Sequence, residues 1–267
     1  MPDLPLLLVL ELVLLGLCTG FLAGLLGLGG GMLMVPSMTI MLTARGFPET
    51  HTVKVAVATS LATICFTSLS SVRAHHQRGA ALWPVAVVLA PGILVGSFLG
   101  SQLAASLPCR TQGWVFAVFV AFSATQMILN RKPKRTRSLP GRGGMFGVGN
   151  VIGALSALVG AGGAFISVPF MTWCNEPIHN AVATSAALGF PIALAGTFGY
   201  LVAGWNLSHM PPGNLGYVFW PGLVVLSLAS MTTAPMGAKL AHSMDMAPLK
   251  RAFAVVLYCL AGYFVLR

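Results

Sequence analysis

Charged residues are scarce in this chain of 267 residues, at 7% of the total, and only 5 residues are acidic. A soluble globular domain carries roughly 25% charged residues, so this chain lacks the polar side chains to cover a water-facing surface. With 56% hydrophobic residues, the composition favours the bilayer as its solvent. Because a helical crossing takes about 20 residues, we predict an all-α integral membrane protein with roughly 8–10 transmembrane helices and no soluble domain.

The chain also lacks the motifs of metal, cofactor and catalytic sites. Its five cysteines form no CxxC pair, which indicates neither a zinc site nor a disulfide framework. No nucleotide-binding loop, HExxH motif or nucleophile elbow with acid partners is present. We therefore predict no enzyme activity, no metal and no cofactor.

Basic residues are concentrated in one short segment. Six of the fifteen lie between Arg131 and Arg142, and the chain carries a net charge of +10. This segment lies between apolar blocks without interleaved aromatic residues, so we expect a cytoplasmic loop and no nucleic-acid partner.

The N-terminal segment ends in a lipobox-like LGLC. It carries no basic residue, and Leu17 rather than a small residue precedes Cys18. We therefore expect a retained first helix and not a cleaved lipoprotein signal.

The two halves of the sequence repeat each other. Gly20 to Met38 matches Gly153 to Met171 at a constant offset of 133 residues, and the sequence AVATS occurs at both 56–60 and 181–185. Later matches pair Pro91-Gly92 with Pro221-Gly222, and Gly100 with Gly237. We predict a first transmembrane repeat at 1–130, a basic cytoplasmic linker at 131–142 and a second transmembrane repeat at 143–267.

In each half a long apolar stretch is interrupted by glycines and followed by a proline. The residues are Gly27, Gly29, Gly30, Gly31 and Pro36 in the first half, and Gly160, Gly162, Gly163 and Pro169 in the second. A helix that begins after such a break presents unpaired N–H groups and a positive dipole end, which attract an anion. Paired broken helices form the substrate site in transporters with internal repeats. The alternative is close helix packing through small residues.

A second candidate feature is the repeated Thr-Ser pair, Thr59-Ser60 and Thr184-Ser185. Hydroxyl groups donate hydrogen bonds to an oxyanion while they stay neutral. The alternative is a hydroxyl that bonds its own helix backbone. We predict that these residues bind substrate together with the glycine breaks.

Three ionisable residues are candidates for the vestibule or for coupling. Lys54 and His179 occupy equivalent positions, five residues before their threonines, and either attracts anions or snorkels to the interface. Glu11 is the acidic residue deep in an apolar run, which makes it a candidate for proton coupling. Its equivalent in the second half is Gly144.

The number of crossings in each half decides how the halves are oriented. Four crossings make the repeats parallel, whereas five make them inverted, and the positive-inside rule favours five. The segment 32–44 is short for a full crossing, so a re-entrant hairpin stays open as the alternative.

Over essentially its whole length, the sequence resembles the TauE/SafE family of membrane transporters, often described as sulfite exporters. The resemblance depends on the paired glycine-proline motifs and on the pattern H-x-A-x-x-T-S at His179, Ala181, Thr184 and Ser185, with Lys54 replacing the histidine in the first half. It implies transport of sulfite, a sulfonate or a related organic anion across a prokaryotic inner membrane. Two departures are Ala164 in the second glycine run and an alanine before each Thr-Ser pair.

We therefore predict a secondary transporter of a small anion in the lipid bilayer. The alternatives are a non-transporting assembly or anchoring subunit and an anion channel. The sequence leaves open the substrate, the direction of transport, a coupling proton and assembly into a homo-oligomer.

Overall fold

A computed structural model describes residues 6–26, 30–77, 79–129, 139–207, 213–241 and 246–266. Within these ranges the chain is almost entirely α-helical. Its helices are α1 (Leu6–Leu26), α2 (Gly31–Ala44), α3 (Glu49–His76), α4 (Trp83–Ser106), α5 (Cys109–Leu129), α6 (Arg142–Val159), α7 (Ala164–Trp173), α8 (Ile178–Gly204), α9 (Trp220–Ala241) and α10 (Met246–Leu266). Between α8 and α9, β1 (Asn214–Leu215) and β2 (Val218–Phe219) form a small antiparallel hairpin.

Seven of the described helices are long and apolar enough to cross a membrane, namely α1, α3, α4, α5, α6, α8 and α9. The all-helical membrane architecture that the sequence predicts is therefore confirmed. The helices α2 and α7 contain only 14 and 10 residues. At 1.5 Å per residue they are about 21 and 15 Å long, less than the roughly 30 Å of a hydrocarbon core.

The short helix α2 folds back along α1. Nη2 of Arg45, just after α2, lies 2.9 Å from Oε2 of Glu11 in α1. At the other end of α2, Gly30 lies against the backbone of Thr19, so the two helices form a hairpin. In the second half Gly163, just before α7, lies against Ile152 and Ser156 of α6.

Equivalent helices of the two halves run in opposite directions. Gly189 of α8 faces Ser68 of α3, and Gly196, further along α8, faces Leu61, which comes earlier in α3. The helices α3 and α8 are therefore antiparallel. An inverted repeat requires this relationship, so the structure is compatible with the inverted arrangement of halves that the sequence favours.

Close packing between the halves depends on glycines. The first helix of each half packs most extensively on the fourth helix of the other, α1 on α9 and α6 on α4. Gly92 and Gly96 of α4 lie against the backbone around Asn150 of α6, where a Cβ would not fit. Small residues allow this approach between membrane helices, so close packing does account for several of the glycines.

The structure also corrects one pairing in the repeat. Trp83 and Trp220 are the first residues of α4 and α9, at the same offset as Gly100 and Gly237. Pro91 instead lies in the middle of α4, whereas Pro221 is the second residue of α9. The predicted match between Pro91-Gly92 and Pro221-Gly222 is therefore wrong.

Candidate functional site

Both glycine breaks end in the same backbone conformation. Gly30 has φ 73° and ψ −11°, and Gly163 has φ 80° and ψ −10°. This left-handed region is open to glycine and strained for most other residues. The carbonyl of Gly30 accepts the N–H groups of residues 33 and 34, and that of Gly163 accepts those of 166 and 167. The helices α2 and α7 therefore begin in the same way.

The second break is described over its full length. The helix α6 ends at Val159, Gly160 adopts a left-handed conformation with φ 72°, and α7 begins at Ala164. These residues, and Gly162 between them, are buried. The geometry is compatible with the interruption that the sequence predicts. In the first break, Gly27 and Gly29 lie outside the described residues.

The first backbone N–H groups of α2 and α7 belong to residues in the protein interior. The first four N–H groups of any helix lack a partner within that helix. In the described part of the chain, no backbone carbonyl accepts the N–H of Gly31 or Met32 in α2, or of Ala164 or Phe165 in α7. All four residues are buried. Two positive helix ends with unused donors are therefore enclosed by the protein.

The two breaks meet at Ser60 of α3. The Ser60 hydroxyl donates a hydrogen bond to the Gly160 carbonyl, with an Oγ–O distance of 3.0 Å. A Cβ on Gly31 would overlap that same carbonyl and lie 3.0 Å from Ser60 Oγ. The structure therefore brings Gly31, Ser60 and Gly160 together, as the predicted site requires.

The two threonines make crossed contacts between the halves. Thr59 Oγ1 accepts the backbone N–H of Phe219, just before α9, and Thr184 Oγ1 accepts that of Leu82, just before α4, each at 2.9 Å. Each threonine thereby holds the start of the fourth helix of the other half. Ser185, equivalent to Ser60, accepts a hydrogen bond from the Ser167 hydroxyl at 2.8 Å.

The prolines lie at equivalent places in the short helices. Pro36 and Pro169 are each the sixth residue of their helix. Proline has no N–H, so the carbonyls of Met32 and Phe165 lose their usual helical donors. Both short helices therefore lack one regular backbone hydrogen bond within their first two turns.

Lys54 is buried at 8% exposure, about 9 Å along α3 from Ser60. Its ammonium group donates to the Ala105 carbonyl at 2.6 Å and lies 5.8 Å from the centre of the Tyr217 ring. Burial raises the pKa of the Tyr217 phenol, which favours its neutral form beside the lysine. Lys54 therefore binds the end of α4 and does not contact the breaks.

His179 and Glu11 also lie away from the meeting point. His179 is exposed in the first turn of α8, unlike its buried equivalent Lys54. Glu11 is paired with Arg45 at the open end of the α1–α2 hairpin. Among the described residues, no group of three or more His, Cys, Asp or Glu side chains is arranged to hold a metal ion.

A small cavity lies beside the second break, with room for about one water molecule. Its walls are formed by Ala23, Thr67, Ser68, Ser71, Gly162, Ala186 and Gly189. The site predicted from the sequence did not include the hydroxyl groups of this cavity. The signal was present, because Thr59, Thr63, Thr67 and Ser71 recur every four residues and so share one face of α3.

Comparison with known proteins identifies the family of this chain. The model of the family described as "Sulfite exporter TauE/SafE" matches residues 12–264. The chain belongs to the TauE/SafE family. As a TauE/SafE protein with seven helices suited to crossing a membrane, it is a multi-pass membrane transporter.

Curated relatives of this TauE/SafE protein cover nearly its whole length. A "Probable membrane transporter protein" of Haemophilus influenzae is 33% identical over 255 residues, covering 95% of this chain and 96% of that protein. The "Probable membrane transporter protein YdhB" of Bacillus subtilis is 29% identical, covering 92% of this chain and 94% of that protein. No solved structure matches the chain.

Proposed function

We propose that this protein is a secondary transporter that carries a small anion, namely sulfite, a sulfonate or a related organic anion, across a prokaryotic plasma (inner) membrane. The observation that carries the proposal is the paired start of α2 and α7. Both helices begin at a buried left-handed glycine, and their breaks touch at Gly31 and Gly160. Each break buries the positive end of a short helix, and such ends favour an anion over a cation.

The side chains around the breaks could bind an anion that has lost its hydration shell. Ser60, Thr59, Thr184 and Ser185 are all fully buried and neutral. The buried ammonium of Lys54 is already bonded to Ala105. Neutral donors attract an oxyanion without the desolvation cost of burying a second formal charge.

Transport requires the contact between the breaks to open. In this structure the backbones at Gly31 and Gly160 leave no space for a ligand between them. Each break lies in its own helical hairpin, so a displacement of one hairpin against the other would uncover the amide groups. Such gating of one repeat against the other around a fixed site is the usual route to alternating access.

The basic linker indicates how the protein is oriented in the membrane. Lys and Arg in short loops favour the cytoplasmic side, so we place the linker 131–142 there, together with the start of α6 at Arg142. A proton coupled to the anion would make the transport responsive to a pH gradient.

The proposal is tested by labelled sulfite uptake into proteoliposomes that contain the purified protein. We expect saturable uptake that sulfoacetate inhibits and that responds to an imposed pH gradient. Uptake that never saturates would identify a channel instead. Absence of any sulfite or sulfonate flux, with a fixed partner protein co-purifying, would favour an assembly subunit and overturn the proposal.

A further inference from the structure

We propose that the anion travels along a route lined by hydroxyl groups, between the glycine breaks and the side of the membrane on which the basic linker lies. This hydroxyl route consists of Thr63, Thr67, Ser68 and Ser71 of α3 and Ser230 of α9. The inference rests on the proposed transport function and adds the path that it uses.

The route begins at the second glycine break. Thr67, Ser68 and Ser71 line the small cavity together with Gly162, so hydroxyl groups and the glycine break border the same space. Across the cavity wall, Thr67 Oγ1 and Ser230 Oγ form a hydrogen bond of 2.6 Å between α3 and α9. Hydroxyl groups of α3 and α9 therefore lie next to the second break, on the part of α3 that leads away from the point where the breaks meet.

Packing alone does not explain these hydroxyls, because the other half fills the equivalent positions with apolar residues. The equivalents in α8 and α4, at the repeat offsets, are Leu188, Ile192, Ala193, Gly196 and Ile93. Both sets are buried. Burying a hydroxyl group costs more than burying an apolar one, so the hydroxyls of one half indicate a purpose other than filling space.

Ser71 supplies the unused donor of this route. It is 2% exposed and lines the cavity, and among the described residues its Oγ has no hydrogen-bond partner. The hydroxyls of Thr63 and Thr67 donate to carbonyls of their own helix, as does that of Ser68. A buried hydroxyl without a partner needs one, and an oxyanion that enters once the cavity widens would provide an acceptor.

The route points toward the basic side of the protein. The helix α3 runs from Ser60 at the breaks, past Ser71, to the exposed Arg73. The helix α4 begins on that same side, and α6 runs parallel to it, since Gly92 faces Phe146 and Gly100 faces Ala154. Arg142, at the start of α6, therefore lies on the side where the hydroxyl route ends.

The opposite route is closed by apolar side chains. Between α8 and α4, the buried Ile192, Ile93 and Leu188 replace the hydroxyls. An anion loses its hydration there without gaining donors. The route therefore opens toward the side of the basic linker once the cavity widens, whereas the apolar side chains block the anion on the other side.

The route is tested first by labelling matched cysteine variants with a small anionic thiosulfonate reagent. Ser68→Cys lies on the route, and Ala193→Cys lies at the equivalent apolar position in α8. Both are made in a form whose five native cysteines are replaced and which still transports sulfite. We expect Ser68→Cys to react about tenfold faster than Ala193→Cys when the reagent is added on the side of the basic linker. Ser68→Cys should also react faster with the anionic reagent than with a cationic one. Its reaction should slow when sulfoacetate is present. Equal rates for the two variants would overturn the route.

The second test measures sulfite uptake by Ser71→Ala. Loss of a hydrogen bond to a charged ligand lowers uptake at limiting sulfite by about tenfold, and Ser71→Thr should keep it. The control is Ser97→Ala in α4, which also removes a buried hydroxyl without a partner among the described residues. If the wild type moves no anion, the proposed function fails and the route with it. If the wild type moves sulfite but Ser71→Ala matches its control, only the route is wrong.

Discussion

Gly31 touches the backbone of Gly160, although the two residues lie in different halves of the chain. A methyl group on Gly31 would overlap the Gly160 carbonyl oxygen, which also accepts the hydroxyl of Ser60. The contact joins the two helical hairpins at their breaks. It also makes the closed state of the proposed site depend on residues without side chains.

Gly31→Ala is expected to force the two hairpins apart. Overpacking of a tight interior contact costs about 1–3 kcal/mol, so the melting temperature should fall and sulfite uptake should be lost. Gly262→Ala is the control, because a Cβ there meets no neighbouring atom. Thermal unfolding and uptake are measured on both variants. Normal uptake by Gly31→Ala would mean that the contact is not part of the transport cycle.

Gly163→Ala tests the conformation that starts α7. An L-residue in the left-handed region costs about 1–2 kcal/mol, and the new methyl group would also overlap the Ile192 side chain. Gly79→Ala introduces the same backbone strain at φ 64° but into open space. We expect both variants to lose stability and only Gly163→Ala to lose uptake. Equal uptake by the two variants would contradict a role for the second break.

Thr59→Val and Thr184→Val are expected to destabilise the protein by similar amounts. Each change leaves a backbone N–H, of Phe219 or Leu82, without its acceptor, at a cost of about 1–3 kcal/mol. Serine at either position should restore the bond. The control is Thr232→Val, which removes a hydroxyl that bonds the Ala229 carbonyl of its own helix. Melting temperatures that differ widely between the first two variants would argue against equivalent roles.

Charge reversal tests whether Glu11 is structural. Arg45→Glu should place two repelling carboxylates at the open end of the α1–α2 hairpin, and the double variant Glu11→Arg/Arg45→Glu should recover. Both side chains are partly exposed, so the pair contributes at most about 1 kcal/mol. We expect the double variant to keep the dependence of uptake on the pH gradient. Loss of that dependence in Glu11→Gln would instead make Glu11 the coupling carboxylate.

Lys54 and His179 differ in burial and in contacts, which the equivalence of their positions in the sequence does not predict. The two residues match in the repeat, yet Lys54 is buried against Ala105 and His179 is exposed. Their surroundings come from different helices, so matching positions do not give matching contacts. The same holds for Ser71 and its equivalent Gly196, which share a helix position but border different neighbours.

The amino-acid sequence alone determined that the chain is helical and lies in a membrane, because so few charged residues cannot cover a surface in water. It also predicted an interruption of the helices at each glycine run, because glycine and proline stabilise a helix least, and the geometry from Val159 to Ala164 is compatible with that prediction. Only the tertiary structure decided that Gly31 meets Gly160, that Thr59 and Thr184 hold the opposite half, and that Glu11 pairs with Arg45. These contacts join residues that are far apart along the chain, and their existence depends on how the helices pack and on the directions in which they run.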